Sequence, residues 1–317
     1  MKLQNIYLLL CCLIGQNLFS NDIPPYINIQ GHQGSIYSVS FSPDGKWIAS
    51  GGIDGQIKIW DFTNKKEIIT LRGHKHFVHT VLFSPNGKFL ATSGDDNITL
   101  VWDLSKFQII YIIPSYSTNF NCSISFSTNG KYIATIDTGK LKIIKLWDVS
   151  TGKEIDSIEE IATSPIAISP NDKYIAFSSP NGDIKIYNNT TKNILTLRKN
   201  KLPISAISFH PFNNVLITGS IDGLIKIWDL FTGKEIKTLE LQIPILTVAV
   251  SPNGKIFAAG IMNGTIAIWN NNYYKILELQ TNEEMIRSIT FSPDSKYLAA
   301  GGKNAIHIWD LTNIKNE

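Results

Sequence analysis

The sequence predicts an all-β chain, a seven-bladed β-propeller of four-stranded antiparallel blades, closed by an N-terminal strand that joins the last blade. Three features carry that expectation. A Trp followed by Asp or Asn recurs at Trp60, Trp102, Trp147, Trp228, Trp269 and Trp309, with Tyr187 in the one gap, at spacings of 42, 45, 40, 41, 41 and 40. A turn-bearing string keeps step with it: "FSPDGK" at 41, "FSPNGK" at 83, "FSTNGK" at 126, "ISPNDK" at 168, "FHPFNN" at 209, "VSPNGK" at 250 and "FSPDSK" at 291. The stretches between are short, rich in Ile, Val, Phe and Tyr, and mostly alternating, which is the strand period rather than the helical one.

The first repeat shows how each element arises. "SIYSVSF" runs into a Pro-Asp-Gly turn, "KWIASGG" follows, then an Ile-Asp-Gly turn, then "QIKIWD", and "TNKK" turns the chain into "EIITL". Pro fixes φ at the first corner and Gly supplies positive φ, so each punctuation mark has a mechanical cause. One such sheet has two apolar faces and cannot stand alone, whereas seven packed face to face in a ring bury both. The repeats fall at about 31–61, 73–103, 118–148, 162–188, 202–229, 242–270 and 283–310, within a propeller spanning 24–311 and followed by a short tail, 312–317. Six outermost strands are legible, from "EIITL" to "KILEL"; the seventh is expected from "YINIQGH" at 26–32, which matches "IITLRGH" at 68–74.

The leading segment differs in kind. "MKLQNIYLLLCCLIGQNLFSND" has a charged start, an apolar run and a polar end, the form of a secretory signal peptide over residues 1–20 with cleavage after Ser20. That predicts an exported chain (secreted, periplasmic or in the secretory pathway). The alternative is a cytoplasmic scaffold that keeps an apolar N-terminus. An apolar run of about ten residues is half the roughly 20 that a spanning helix needs, so no membrane span is expected in the mature chain. Cys11 and Cys12 lie in the leader, leaving Cys122 without an internal disulfide partner. Net charge is +3, and Arg72, Arg198 and Arg287 are the only arginines. Lysines recur singly at turns, at Lys46, Lys88, Lys131 and Lys255, which argues against a nucleic-acid partner.

The motifs together resemble the WD-repeat family, including G-protein β subunit type propellers, over Tyr26 to Asp310. The resemblance implies hydrogen-bonded tetrads of His, Ser or Thr, Asp and Trp: His32, Ser50, Asp54 and Trp60 in blade 1, and His74, Thr92, Asp96 and Trp102 in blade 2, at identical offsets. Later blades depart. Blade 3 carries two extra residues in its inner turn, so the offsets fail; Trp228 keeps Asp222 and Thr218 but has Asn200 at the His position; blade 4 offers Asn181, blade 6 Asn263, and blade 7 has Lys303 at the Asp position. The networks are therefore expected chiefly in blades 1 and 2.

No catalytic constellation stands out. The cluster His74, His76 and His79 divides between a tetrad, a loop and a strand start, short of the three converging ligands a metal needs. No metal, cofactor or catalytic residue is expected. The runner-up reading is a hydrolase-type propeller enzyme acting at the central channel, which would need charged or ligating residues facing inward from several blades. In propellers of this family partners commonly dock on the face ringed by the loops entering the innermost strands and by the inner turns. Carried over by position, the resemblance implies Tyr37, Ile53, Phe77, His79, Phe120, Ile221, Leu246, Met262, Met285 and Arg287. An apolar rim with aromatic and Met positions suits a protein or peptide partner. The expected function is a non-catalytic protein-interaction scaffold.

Overall fold

The computed structural model describes residues 26–115, 124–137, 142–197 and 202–314. The expected leader, Phe120 and Asn200 lie outside them. The described chain forms seven four-stranded antiparallel sheets and no helix. Within six of the sheets the strands run in sequence order, and the first strands of successive blades touch one another around the ring, that of blade 7 (Ile289–Phe291) meeting that of blade 1 (Ile36–Phe41). The first strands therefore line the axis. The ring closes as expected: Tyr26–Gln30 pairs antiparallel with Ala305–Asp310, Tyr26 opposite Trp309 and Gln30 opposite Ala305, so the blade 7 sheet is built from both ends of the chain.

The core is divided as the ring is. Seven apolar clusters occupy the seven junctions, each shared by two neighbouring blades. Strand alternation explains the division. Ile57 and Ile59 point into the blade 1–blade 2 junction, while Trp60, on the opposite face of the same strand, packs between blades 7 and 1. Each repeated Trp, and Tyr187 likewise, wedges against the preceding blade. Burying such a ring contributes roughly 3 kcal/mol or more, the order lost when a core aromatic is cut to Ala.

The turns at one end of the ring repeat a small device. Ser42 Oγ donates to Asp44 Oδ1 at 2.6 Å and accepts from Trp47 N at 2.9 Å, with Gly45 at φ +72°. Three blades replace that glycine, with Asp172, Asn213 and Ser295, and two of the replacements take its left-handed backbone and reach back to the preceding blade. Asp172 (φ +57°) accepts from Thr128 N and Asn129 N at 2.6 and 3.2 Å, and Ser295 (φ +62°) accepts from Asn253 N at 3.1 Å. The left-handed backbone costs a side chain roughly 1 kcal/mol, and the inter-blade bonds offset it.

Candidate functional site

At the opposite end of the ring the entry loops meet the turns between second and third strands. His32 joins the two in blade 1. Its Nδ1–H donates to Asp54 Oδ2 at 2.9 Å, its Nε2 accepts from Ser50 Oγ at 2.7 Å, and Ser50 Oγ accepts from Trp60 Nε1 at 2.8 Å. In blade 2, His74 lies 2.9 Å from Asp96 Oδ1 and 2.8 Å from Thr92 Oγ1, which accepts from Trp102 Nε1 at 3.0 Å. Donors and acceptors alternate along each chain, so the buried imidazole is satisfied in its neutral form. Asp54 also accepts from Gln33 N and Gln56 N at 3.0 and 3.1 Å. Burial raises the Asp54 carboxyl, but the bonds from His32 and the Gln33 and Gln56 amides outweigh it and bring the pKa down to about 2.

Two later blades keep part of the device. In blade 3 the extra residues shift the hydroxyl rather than delete it: Trp147 Nε1 donates to Thr135 Oγ1 at 2.9 Å, twelve positions away instead of ten. Trp228 Nε1 donates to Thr218 Oγ1 at 3.0 Å, while the Asp222 carboxylate turns to Ser220 Oγ.

Blade 7 contains a network that position-by-position reading missed. His307, on the third strand, places Nε2 2.7 Å from Glu283 Oε1 and Nδ1 2.7 Å from Asn28 Oδ1, and Tyr26 Oη also contacts Nδ1. Glu283 Oε2 accepts from Lys303 N at 2.7 Å. No repeat-spacing signal could reveal it, because the side chains that form it, His307, Glu283, Asn28 and Tyr26, occupy none of the tetrad positions used in blades 1 and 2.

The residues of the expected docking face divide into three groups. Ile53, Ile221 and Met262 occupy one equivalent position, each donating its N–H to the entry-loop carbonyl of Ser35, Pro203 or Pro244, and each stays 37–41% exposed. In blade 2 that position is Asp95, whose N–H donates to Phe77 O. A second group forms one contiguous cluster across blades 7, 1 and 2. Tyr37 stacks on His79 with centroids 5.3 Å apart and planes 2° from parallel; Phe77 meets Tyr37 edge-on at 6.2 Å; the Arg287 guanidinium sits 4.8 Å from the Tyr37 centroid. His79 Nε2 lies 2.5 Å from Asp95 Oδ1, and its buried Nδ1 has no hydrogen-bond partner. Burial lowers the Arg287 pKa and the Tyr37 hydroxyl opposes the shift, but a guanidinium remains charged. The third group stands apart from that cluster: Leu246, on the first strand of blade 6, is buried, and Met285 is half-buried, as Tyr37 and Arg287 are. The face is thus less uniformly apolar than the residue types imply, since Arg287 and the His79–Asp95 pair both border Tyr37. Among the described residues no three or more His, Cys, Asp or Glu converge as a metal set.

A closed ring of seven four-stranded sheets, with polar networks pinning entry loops to inner turns, defines a β-propeller of the repeat-bearing class. The chain is a WD-repeat protein: residues 24–61 and 65–103 match the family described as WD domain, G-beta repeat, and residues 159–315 match the description Vps42 beta-propeller. Among similar proteins, the periodic tryptophan protein 2 homolog of Mus musculus is 34% identical over 183 residues, 56% of this chain and 20% of that protein. The target of rapamycin complex subunit LST8 of Saccharomyces cerevisiae is 43% identical over 37 residues, 12% of each chain. The small ribosomal subunit protein RACK1 of Caenorhabditis elegans is 48% identical over 40 residues, 13% of this chain and 12% of its own. The matched segments span a fifth or less of these relatives' lengths. The expectation of export is overturned by them: a ribosomal subunit protein and a subunit of the target of rapamycin complex work inside the cell, which points to cytoplasm or nucleus.

Proposed function

We propose that the protein is a non-catalytic scaffold, working inside the cell, that presents the entry-loop face of its propeller to a protein or peptide partner. The observation that carries this reading is the Arg287–Tyr37–His79 stack with Phe77 at its edge, flanked by exposed Ile53, Ile221 and Met262. Aromatic and Arg side chains held rigid beside apolar ones are what partner hot spots are made of. The stack is assembled from three blades, so it is pre-organised by the ring and loses little entropy on binding. His79 serves there as packing: one face lies on Tyr37 and Nε2 is occupied by Asp95. That commitment favours recognition over acid–base work.

The test is a crosslinking pull-down comparing wild type with a Tyr37→Ala, Phe77→Ala, Arg287→Ala triple variant of matched thermal stability. Loss of the recovered partner, at least about tenfold, is expected for hot-spot residues. Unchanged recovery would discredit this face.

A further inference from the structure

The end of the ring opposite the entry loops carries two exposed phenylalanines on blade 5, with Tyr274 of the blade 6 turn exposed at the same end. The two most exposed large hydrophobic side chains among the described residues are Phe231, 88% exposed, and Phe212, 74% exposed. Phe212 lies in the turn between the first and second strands of that blade (Ile204–Phe209 and Val215–Ser220), and Phe231 in the turn between the third and fourth (Leu224–Asp229 and Lys234–Glu240). In a sheet of sequential antiparallel strands both turns fall at the same end, and Leu230 N donates to Asn214 O at 2.8 Å to tie them together.

Both phenylalanines stand where the other repeats place small polar residues. At the position of Phe212 the other six blades carry Asp44, Asn86, Asn129, Asn171, Asn253 and Asp294, and at the position of Phe231 they carry Ser, Thr or Asn. The polar residue at the first position closes its turn, as Asp44 does by accepting from Ser42 Oγ and Lys46 N. Phe212 cannot do this, and the task has passed to His210. Its Nδ1 accepts from Phe212 N and Asn213 N at 3.2 and 3.1 Å, and its Nε2–H donates to Gly254 O at 3.1 Å. At the second position the backbone is conventional, Phe231 N donating to Asp229 Oδ1 at 2.7 Å. Neither ring is needed to hold its turn, and each raises the aggregation hazard of the surface. Beside them opens a cavity of about 170 Å³ between blades 4 and 5, lined by Tyr174, Phe209, His210, Pro211, Phe212 and Leu230 among others.

Exposed lysines outnumber the unpaired carboxylates around the patch. Exposed Lys173 sits over the Tyr174 ring at 5.2 Å; Lys255 follows Gly254, whose backbone packs on His210 and Phe212; Lys234 follows Gly233 at the end of the Phe231 turn. Of the neighbouring carboxylates, Glu235 is paired with Lys226 at 3.7 Å, while Asp229, bound by the Phe231 and Thr232 amides, and Asp172, bound by Thr128 N and Asn129 N, keep their charge and are fewer than the three exposed lysines. We infer that the blade 5 turn end is a second docking surface, taking an acidic peptide segment that inserts a large apolar side chain beside Phe212. The two faces together make the propeller a bridge rather than a one-sided platform. This surface lies at the other end of the ring from the Tyr37 cluster, so its failure leaves that reading untouched.

The test is selection of a displayed random-peptide library on the immobilised protein, in solution excess of an F212N/F231T variant that carries residues the other blades use at those positions. Enriched peptides are expected to be net acidic with at least one large apolar residue. They should weaken about tenfold or more on the double variant and on K234E/K255E, each step of ten being one decade in Kd. Peptides that are neutral or basic, that bind either variant as tightly as wild type, or that fail to enrich at all overturn the proposal. So does concentration-dependent dimerisation in sedimentation velocity that F212N/F231T abolishes, since that would make the occupant a second copy. The lysine variant, altered only at exposed side chains, keeps the test decisive if the double variant folds poorly.

Discussion

In blades 1 and 2 the buried carboxylate sits on the turn between second and third strands, and the amide it receives comes from the entry loop: Asp54 accepts from Gln33 N and Asp96 from Lys75 N, both at 3.0 Å. In blade 7 the two have changed places. Glu283 lies in the entry loop and accepts from Lys303 N on the turn, at 2.7 Å. The imidazole has moved as well, from the entry loop to the third strand, where His307 stands two residues before Trp309, the position of Lys58 in blade 1 and Lys226 in blade 5. Those lysines are buried and answered by Glu67 and Glu235 of their outermost strands. In blade 7 the outermost strand comes from the other end of the chain and offers Asn28 and Tyr26 instead. The comparison teaches that a satisfied carboxylate can bridge loop and turn from either side.

The difference is sharpest at Gly302, where a side-chain carbon would lie 2.2 Å from His307 Nε2 and 2.4 Å from Glu283 Oε1. Gly302→Ala is expected to cost about 3 kcal/mol in urea unfolding, the upper range for overpacking a tight site. Hydrogen-exchange protection of Tyr26–Gln30 should fall while the amides of blades 1 and 2 keep theirs. An equal loss in every blade would mean the blade 7 network is not a local latch.

Acid should act on blade 1 through Asp54. Its folded pKa, about 2, lies below the ordinary 3.8, so its contribution is fully present above that ordinary value and is lost as pH falls toward 2. The linkage amounts to about 2 kcal/mol. Urea midpoints measured down that range should drop for wild type and change less for Asp54→Asn; parallel curves would refute the assignment.

The smallest effect concerns blades 3 and 5, which keep a hydroxyl for the Trp but, among the described residues, no His beside it. Thr135→Val and Thr218→Val each remove the acceptor of a buried indole N–H. Each should cost about 1 kcal/mol in thermal denaturation, the usual worth of one neutral hydrogen bond. A cost at Thr218 far above that at Thr135 would show that the shifted spacing in blade 3 leaves a weaker bond.

Blade number, strand order and closure by Tyr26–Gln30 were readable because each repeat carries its own turn signals and its own strand alternation. The tetrads of blades 1 and 2 were readable for the same reason, at fixed offsets from Trp60 and Trp102. Thr135 escaped because an insertion shifted the offset, and the His307 network escaped because its members sit at non-equivalent positions. Leu246 shows the limit for the face: its position is buried at His79, Ser164 and Ser205 as well and partly open only at Tyr37 and Arg287, a difference no residue type announces. The exported location inferred from the apolar leader failed because a run of apolar residues carries no address by itself.

The sequence alone determined how many sheets form and how each strand alternates, because turn chemistry and side-chain period act over a few residues and repeat every forty or so. Only the tertiary structure decided which side chains meet, across junctions for Asp172 with the turn before it and Tyr37 between Arg287 and His79, and between loop and strand for Glu283 with His307. Those contacts join residues from different strands and different blades, and their geometry depends on the tilt and spacing of packed sheets, which no local period encodes.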